Sequence, residues 1–149
     1  MRRLAFYIFL LAMSSAYGLA KEETVVELKA RFESARPEDR PELGIRIAQR
    51  QLRSADQLYI DGNTDQADIA IYDVAAYCEK ARDAAIQTKK RMKNVEIDVR
   101  KMAEKLRDIK RTLAFDNQPP AEQAIRRLED VRTSLLKEMF ANDKKKEKQ

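Results

Sequence analysis

Apolar residues in the second half of the chain recur at spacings that alternate between four and three residues. No Pro or Gly interrupts this stretch between Asn63 and Asn117. A repeat of 3.5 residues sustained over such a length is typical of a helix whose apolar edge faces partner helices. The pattern therefore predicts one continuous helix over residues 64–114, about 75 Å long. Its members, called the stripe below, are Ala67, Ile71, Val74, Cys78, Ala81, Ala85, Thr88, Met92, Val95, Val99, Met102, Leu106, Ile109 and Leu113, of which only Thr88 is polar.

Helix start and stop signals predict three shorter helices, over residues 24–35, 41–61 and 120–141. Thr24 with Glu27 three residues later has the pattern of a capping box at a helix start. Pro41 suits the first turn of the second helix, and Gly62 suits the left-handed residue that ends it. Asn63 is then a candidate cap for the start of the long helix.

The surroundings of the stripe change along the long helix, and this change predicts the architecture. Up to Ala85 further apolar residues flank the stripe, so this half needs two partners, which the first and second helices supply. From Met92 onward charged residues flank it, and one partner suffices. Residues 92–113 and 120–141 match in length, so the fourth helix can return along the stripe. The predicted fold class is all-α: a three-helix bundle extended by a long antiparallel helical hairpin, a coiled-coil-like arm.

The first 20 residues have the three parts of a secretory signal peptide. Arg2 and Arg3 precede an apolar run from Leu4 to Met13, and small residues follow up to Ala20. Cleavage after Ala20 or after Gly18 leaves small residues at the first and third positions before the cut, as signal peptidase requires. Retention of the segment as a membrane anchor is the alternative. The apolar run is shorter than the roughly 20 residues that span a bilayer. We therefore expect an exported protein, either periplasmic or secreted.

Composition predicts a single helical domain over residues 21–142 and a disordered basic tail over residues 143–149. Charged residues make up 37% of the chain, with only three Gly and no Trp, which is typical of long exposed helices. Without the first 20 residues the net charge is +3, and much of that surplus lies in the Lys-rich tail. This mild charge, interleaved with acidic residues, does not favour binding to nucleic acid.

The residue types required by common active sites are missing from the sequence. The chain has no His, one Cys and three Gly, one of which lies in the predicted signal. Catalytic triads with His, thiolate metal cages and glycine-rich phosphate loops are thereby excluded. We expect no catalytic residue, no metal site and no cofactor, and hence a protein that is not an enzyme.

A run of basic residues near the middle of the long helix is the first candidate site. It comprises Lys89, Lys90, Arg91 and Lys93, at a point that neither returning helix reaches by length. A solvated stretch of helix is one interpretation. Docking of an acidic protein, or weak contact with an anionic membrane surface, is the other.

Tyrosines and the cysteine supply two further candidates. Tyr59, Tyr72 and Tyr77 form either the amphipathic rim of the core or a ligand or peptide groove between the second and third helices. Cys78 lies on the stripe, where it is either a small core residue or the link between two copies of the chain. In a parallel homodimer, residues at such a position face each other.

Two resemblances accompany these patterns. The stretch from Ala55 to Gly62, followed by Ala67, Tyr72 and Ala81, resembles the helical hairpin of tetratricopeptide repeats over about one 34-residue unit. No second copy follows at that period. The chain is also similar to tentacled periplasmic chaperones, which are small, exported, basic and built on long helical hairpins, but it lacks their strand-forming segments.

These observations lead to two hypotheses on function. The first is an exported noncatalytic helical protein that acts as a protein–protein interaction or scaffolding module in a bacterial-type cell envelope, with an unidentified envelope protein as partner. The alternative is a periplasmic holdase-like chaperone for unfolded exported proteins. Its adaptable apolar contacts would be Met92, Met102, Met139 and Phe140.

Overall fold

The structure is a computed structural model that describes residues 22–146, with side chains placed for residues 22–141. This part of the chain is all-α and contains no strand, as the sequence predicts. The predicted signal peptide, residues 1–20, lies outside it. The elements are α1 (Val25–Ser34), α2 (Arg40–Ile60), α3 (Thr64–Thr88), α4 (Met92–Thr112), a 3-10 turn (Phe115–Asn117) and α5 (Pro119–Lys146).

The expected continuous helix over residues 64–114 is wrong. α3 ends at Thr88 and α4 begins at Met92, and between them Lys89 and Arg91 adopt left-handed backbone angles, with φ of 55° and 62°. Neither residue is Gly, so local sequence alone does not favour this turn. Two helices of about 37 Å and 32 Å replace the predicted continuous helix.

The stripe itself is confirmed on both sides of the break. Eleven of its fourteen members are buried, and Thr88, Met92 and Leu113 are half-buried. The periodicity therefore marks buried positions, although the helix that carries it is divided. Both parts of the stripe face one core that is shared by all five helices.

α4 folds back beside the other helices instead of extending an arm. Glu42 and Asp56 of α2 pair with Arg91 and Lys105, both at 2.7 Å, so α4 runs parallel to α2. α5 then returns antiparallel to α4, since Lys110 pairs with Glu122 and Glu96 pairs with Arg132, and it also packs along α3. In the described part of the chain two antiparallel hairpins, α2–α3 and α4–α5, pack side by side, with α1 as a fifth helix. This arrangement replaces the expected bundle with a protruding arm.

Burial explains why the break is favoured. A left-handed backbone at a residue other than Gly destabilises the fold by about 1–2 kcal/mol. Each large apolar side chain removed from water stabilises it by about 1.5–3 kcal/mol. In an extended arm, only α5 could cover the stripe of α4. In the folded arrangement, side chains of α4 and α5 such as Val99, Leu106, Leu128 and Leu135 are fully buried. The burial of a few such residues offsets two strained ones.

α1 packs across α2 and α3 at the start of the chain. The Thr24 hydroxyl accepts from the Glu27 N–H at 3.2 Å and the Glu27 carboxylate accepts from the Thr24 N–H at 2.7 Å, which confirms the capping box. Phe32 of α1 meets Tyr77 of α3 edge to face, with ring centroids 5.6 Å apart. Asn63 precedes α3 as predicted, but its side chain makes no capping hydrogen bond.

The C-terminal helix is longer than the sequence indicates. α5 continues to Lys146, four residues into the segment predicted as a disordered basic tail. Residues 147–149 lie outside the described part. Inside α5, Arg132 donates to the carboxylate of Glu96 at 2.9 Å. Glu96 is only 9% exposed, although charged residues that flank the stripe are expected to be solvated.

Candidate interaction surfaces

The four basic residues predicted as a docking site lie together at the junction of α3 and α4. Lys89, Lys90 and Arg91 connect the two helices, and Lys93 lies in the first turn of α4. Residues 88–93 are here called the basic turn. The Lys90 N–H donates to the Ala85 carbonyl at 3.2 Å and the Lys89 N–H donates to the Ile86 carbonyl at 3.3 Å. This is the Schellman arrangement, in which a left-handed residue closes a helix. The sequence placed these residues in mid-helix; the structure places them at a helix junction.

Of the four basic residues in the basic turn, only Arg91 is in an ion pair within the described part of the chain. The Arg91 guanidinium pairs with Glu42 of α2 at 2.7 Å. Lys89, Lys90 and Lys93 are exposed, and within the described part of the chain none of them has a carboxylate oxygen within 4.0 Å. Three ammonium groups therefore point into solvent from a segment of five residues, which makes the turn attractive to an anionic surface.

The three tyrosines do not share one environment. The Tyr59 hydroxyl donates to the Asp68 carboxylate at 2.6 Å, and burial together with this hydrogen bond raises the pKa of the phenol. Tyr72 is exposed, and the Arg127 guanidinium of α5 lies 5.0 Å from its ring centre. Tyr77 is buried beneath α1. The structure thus distributes the residues of the predicted groove over three different contacts.

Cys78 is a free, fully buried thiol in the middle of α3. Burial is the main cause that raises the pKa of this thiol, because the thiolate would lose its hydration. The neighbouring α3 residue Glu79 is paired in a bidentate manner with Arg127, at 2.7 and 2.8 Å. The stripe around Cys78 faces helices of its own chain, so a disulfide to a second copy requires this core to open.

A groove of about 400 Å³ between α4 and α5 is a basic surface that sequence reasoning missed. Lys110 contacts Glu122 across it at 3.0 Å, and this hydrogen bond lowers the pKa of the Glu122 carboxyl. Arg111 pairs with Asp108 at 2.7 Å. Arg107 pairs with Glu129, so three of the four basic side chains that line the groove are already paired. No sequence signal indicates this groove, because it depends on the register between two helices.

Residues 22–146 contain neither a metal-binding cluster nor a helix that could span a membrane. No group of three or more His, Cys, Asp or Glu residues that could hold a metal ion occurs among them. Among the side chains of residues 22–141, every buried nitrogen or oxygen has a hydrogen-bond partner. No helix of this described part is long and apolar enough to cross a bilayer.

Comparison with known proteins provides no family for this chain. No protein-family model, no curated protein and no solved structure matches it. The functional interpretation therefore depends on the chemistry of the surfaces described above.

Proposed function

We propose that this protein is an exported, noncatalytic interaction module of a bacterial-type cell envelope, and that it docks an acidic partner protein through the basic turn. The observation that supports this most is the exposure of Lys89, Lys90 and Lys93 without a carboxylate partner in the described residues. Elsewhere on the surface, several basic side chains are already engaged in ion pairs with distant parts of the chain, including Lys29, Arg50, Lys105, Lys110 and Arg127.

The backbone of the basic turn favours recognition over nonspecific attraction. Only three residues, 89–91, connect the two helices, and hydrogen bonds hold the left-handed residues among them. A segment that is already ordered in the monomer loses less conformational entropy on binding than a flexible tail does. Electrostatic complementarity of this kind raises the rate of association and makes it dependent on salt.

The proposed location and the absence of catalysis depend on the sequence. The signal-like pattern in residues 1–20 favours export, so the partner is sought in the envelope. The complete lack of His removes the commonest general acid and base. An anionic lipid surface would offer similar charge, and the experiment below treats it as a separate outcome.

Charge removal at the turn tests this proposal. The variant Lys89→Gln, Lys90→Gln, Lys93→Gln leaves Arg91 and its pair with Glu42 intact. A matched control, Arg100→Gln, Lys101→Gln, Lys137→Gln, removes the same charge from exposed positions on α4 and α5. Residues 21–149 of each form are immobilised and used to capture proteins from detergent-solubilised envelope at 50 and 300 mM salt.

We expect the turn variant to lose about tenfold of the capture of an acidic protein at low salt, because three charge contacts of a few tenths to one kcal/mol each are removed. The control should retain that capture. Equal capture by both variants would contradict the proposal. Binding to vesicles with 30% phosphatidylglycerol that disappears only in the turn variant, without protein capture, would instead indicate a lipid surface.

A holdase-like chaperone remains the second candidate because several large apolar side chains are exposed. Val26, Ile60, Ile69, Phe115 and Phe140 are each at least 64% exposed. Of the contacts that the sequence suggested, Phe140 is accessible, Met92 and Met139 are half-buried and Met102 lies in the core. A holdase should suppress precipitation of an unfolded outer-membrane protein at near-stoichiometric amounts, and Phe115→Ser with Phe140→Ser should weaken that suppression.

A further inference from the structure

The basic turn contradicts the helical preference of its own sequence. From Gln87 to Lys93 every residue except Thr88 is a good helix former, and neither Gly nor Pro is present. The stripe keeps its 3.5-residue spacing across this segment, from Ala85 through Thr88 and Met92 to Val95. Local sequence therefore favours one long helix, and the chain turns only because α4 and α5 pack onto α2 and α3.

The contacts that hold the two hairpins together do not depend on the turn. They include the ion pairs Glu79–Arg127 and Asp56–Lys105 and the shared apolar core. A second copy of the chain presents the same α4–α5 hairpin with the same residues. If the turn straightens in both copies, each hairpin can pack onto the other chain with every one of these contacts retained.

The balance between the two arrangements then depends on a few backbone angles. The closed monomer keeps left-handed angles at Lys89 and Arg91, whereas a pair of exchanged chains relieves four such residues. Each left-handed residue relieved favours the open form by about tenfold. The closed form keeps the Arg91–Glu42 ion pair and avoids the entropy cost of association.

We propose that the basic turn is a hinge through which two copies of this protein exchange their α4–α5 hairpins. The exchanged dimer contains a straight helix over residues 64–112 in each chain, about 74 Å long. The surface that the partner copy fits is the apolar and charged face of α2 and α3 that α4 and α5 cover in the monomer. This inference is independent of the proposed docking function, because its readout needs no other partner.

A pair of hinge variants tests the exchange without changing charge between them. Lys89→Gly with Arg91→Gly allows left-handed angles at no steric cost, whereas Lys89→Thr with Arg91→Thr places β-branched residues where they are strongly disfavoured. Both variants lose the same two charges. Each is refolded from urea over a range of concentrations under reducing conditions, which exclude a Cys78 disulfide, and its mass is measured by light scattering after size exclusion.

We expect the Gly variant to stay monomeric and the Thr variant to form a dimer at concentrations at least about a hundredfold lower, because four strained residues are relieved in each dimer. The same monomer–dimer equilibrium in both variants would overturn the hinge.

A second experiment remains informative even if the Thr variant does not fold. One chain carries Glu79→Arg and the other carries Arg127→Glu, so each alone opposes like charges between α3 and α5. In an exchanged heterodimer, one interface has the pair with its charges reversed and the other has the native pair. Co-refolding should then yield a dimer that neither chain forms alone. A mass profile equal to the sum of the two separate profiles would rule out hairpin exchange.

Discussion

Two helix ends in this molecule use the same backbone motif with different residues. After α2, Gly62 has φ of 79° and the Asn63 N–H donates to the Leu58 carbonyl at 2.8 Å. After α3, Lys89 occupies the equivalent position with φ of 55°. Gly adopts this conformation freely, whereas Lys pays for the contact between its Cβ and the backbone. Lys89 is thus a residue at which a single substitution can stabilise the fold.

Replacement of Lys89 by Gly should raise the free energy of unfolding by about 1 kcal/mol, because the relief of left-handed strain exceeds the entropy that Gly adds to the unfolded chain. Urea unfolding of dilute, monomeric protein measures the change. Lys90→Gly is the matched control, since Lys90 does not have a positive φ. It should be neutral or destabilising. Equal effects at the two positions would contradict the role of φ.

Burial of Cys78 predicts a loss of stability in mild alkali. Its pKa is raised in the folded protein, so the unfolded chain releases its thiol proton first, near pH 8.5. Stability is fully present below that pH and should fall by up to about 1.4 kcal/mol per pH unit above it. Tyr59, whose pKa is also raised, adds to the loss only above about pH 10. Urea unfolding between pH 7 and 10 measures the slope.

The variant Cys78→Ala provides the control for that slope. It removes the titrating group and should flatten the dependence between pH 8.5 and 10, even though it lowers stability slightly through lost packing. An unchanged slope in the variant would assign the alkaline loss to other groups.

At the scale of helices, the close approach of α2 and α3 depends on Gly44. A Cβ built at this position would lie 3.0 Å from the Tyr77 carbonyl oxygen and 3.1 Å from the Ala81 Cβ. Both distances are tighter than normal van der Waals contact. The small residues Ala48 and Ala81, both fully buried, extend this close packing between the helices.

Gly44→Ala should destabilise the protein by about 1 kcal/mol. The gain in helix propensity is about 1 kcal/mol, but overpacking of a tight interface costs about 1–3 kcal/mol. Thermal or urea unfolding checks the sign. In an Ala81→Gly background the same substitution should cost less, because one of the two close contacts is gone. A stabilised Gly44→Ala single variant would show that the helices can separate without loss.

Helix boundaries were predictable where a specific residue marks them. The capping box at Thr24, Pro41 in the first turn of α2 and Gly62 after it all appear where the sequence places them. The break at residues 89–91 has no such marker. Its only sequence signal is Thr88, the one polar member of the stripe, whose hydroxyl donates to the Ala84 carbonyl at 2.7 Å. Such a bond also occurs inside continuous helices, so the signal is weak.

At the scale of the molecule, the turn replaces the predicted three-helix bundle with a protruding arm by two hairpins that share a core. The longest remaining helix, α5, spans about 42 Å. A compact chain of this size has a radius of gyration of about 14 Å. Helices on both sides of the break contribute to one apolar cluster, including Ile71 and Val74 from α3 and Val99 and Leu106 from α4.

Small-angle scattering of residues 21–149 at low concentration should give a radius of gyration of about 14–17 Å and a maximum dimension near 50 Å. The Gly variant of the hinge should give the same values. An uninterrupted helix over residues 64–114 would extend the maximum dimension to at least about 75 Å. A curve that requires such a length for a monomer would refute the folded arrangement.

Like the elements of the fold, the candidate sites fall into those that the sequence indicates and those that depend on contacts between distant helices. The residues of the basic turn were identifiable from the order of residues along the chain, since a cluster of Lys and Arg in the sequence needs no tertiary information. The surroundings of Tyr59, Tyr72 and Tyr77 were not, because each partner comes from a different helix. The pairing of Glu79 with Arg127 spans 48 residues and likewise has no local signal.

The sequence by itself determined the all-α class, the buried stripe that α3 and α4 share and the ends that Thr24, Pro41 and Gly62 mark, because these follow from periodicity and local backbone preferences. Only the tertiary structure decided that the long apolar stripe is divided and folded back. Local interactions favour a straight helix by small amounts at each residue, whereas the burial of two apolar edges in one core is a sum over many distant contacts. That sum outweighs the strain at Lys89 and Arg91.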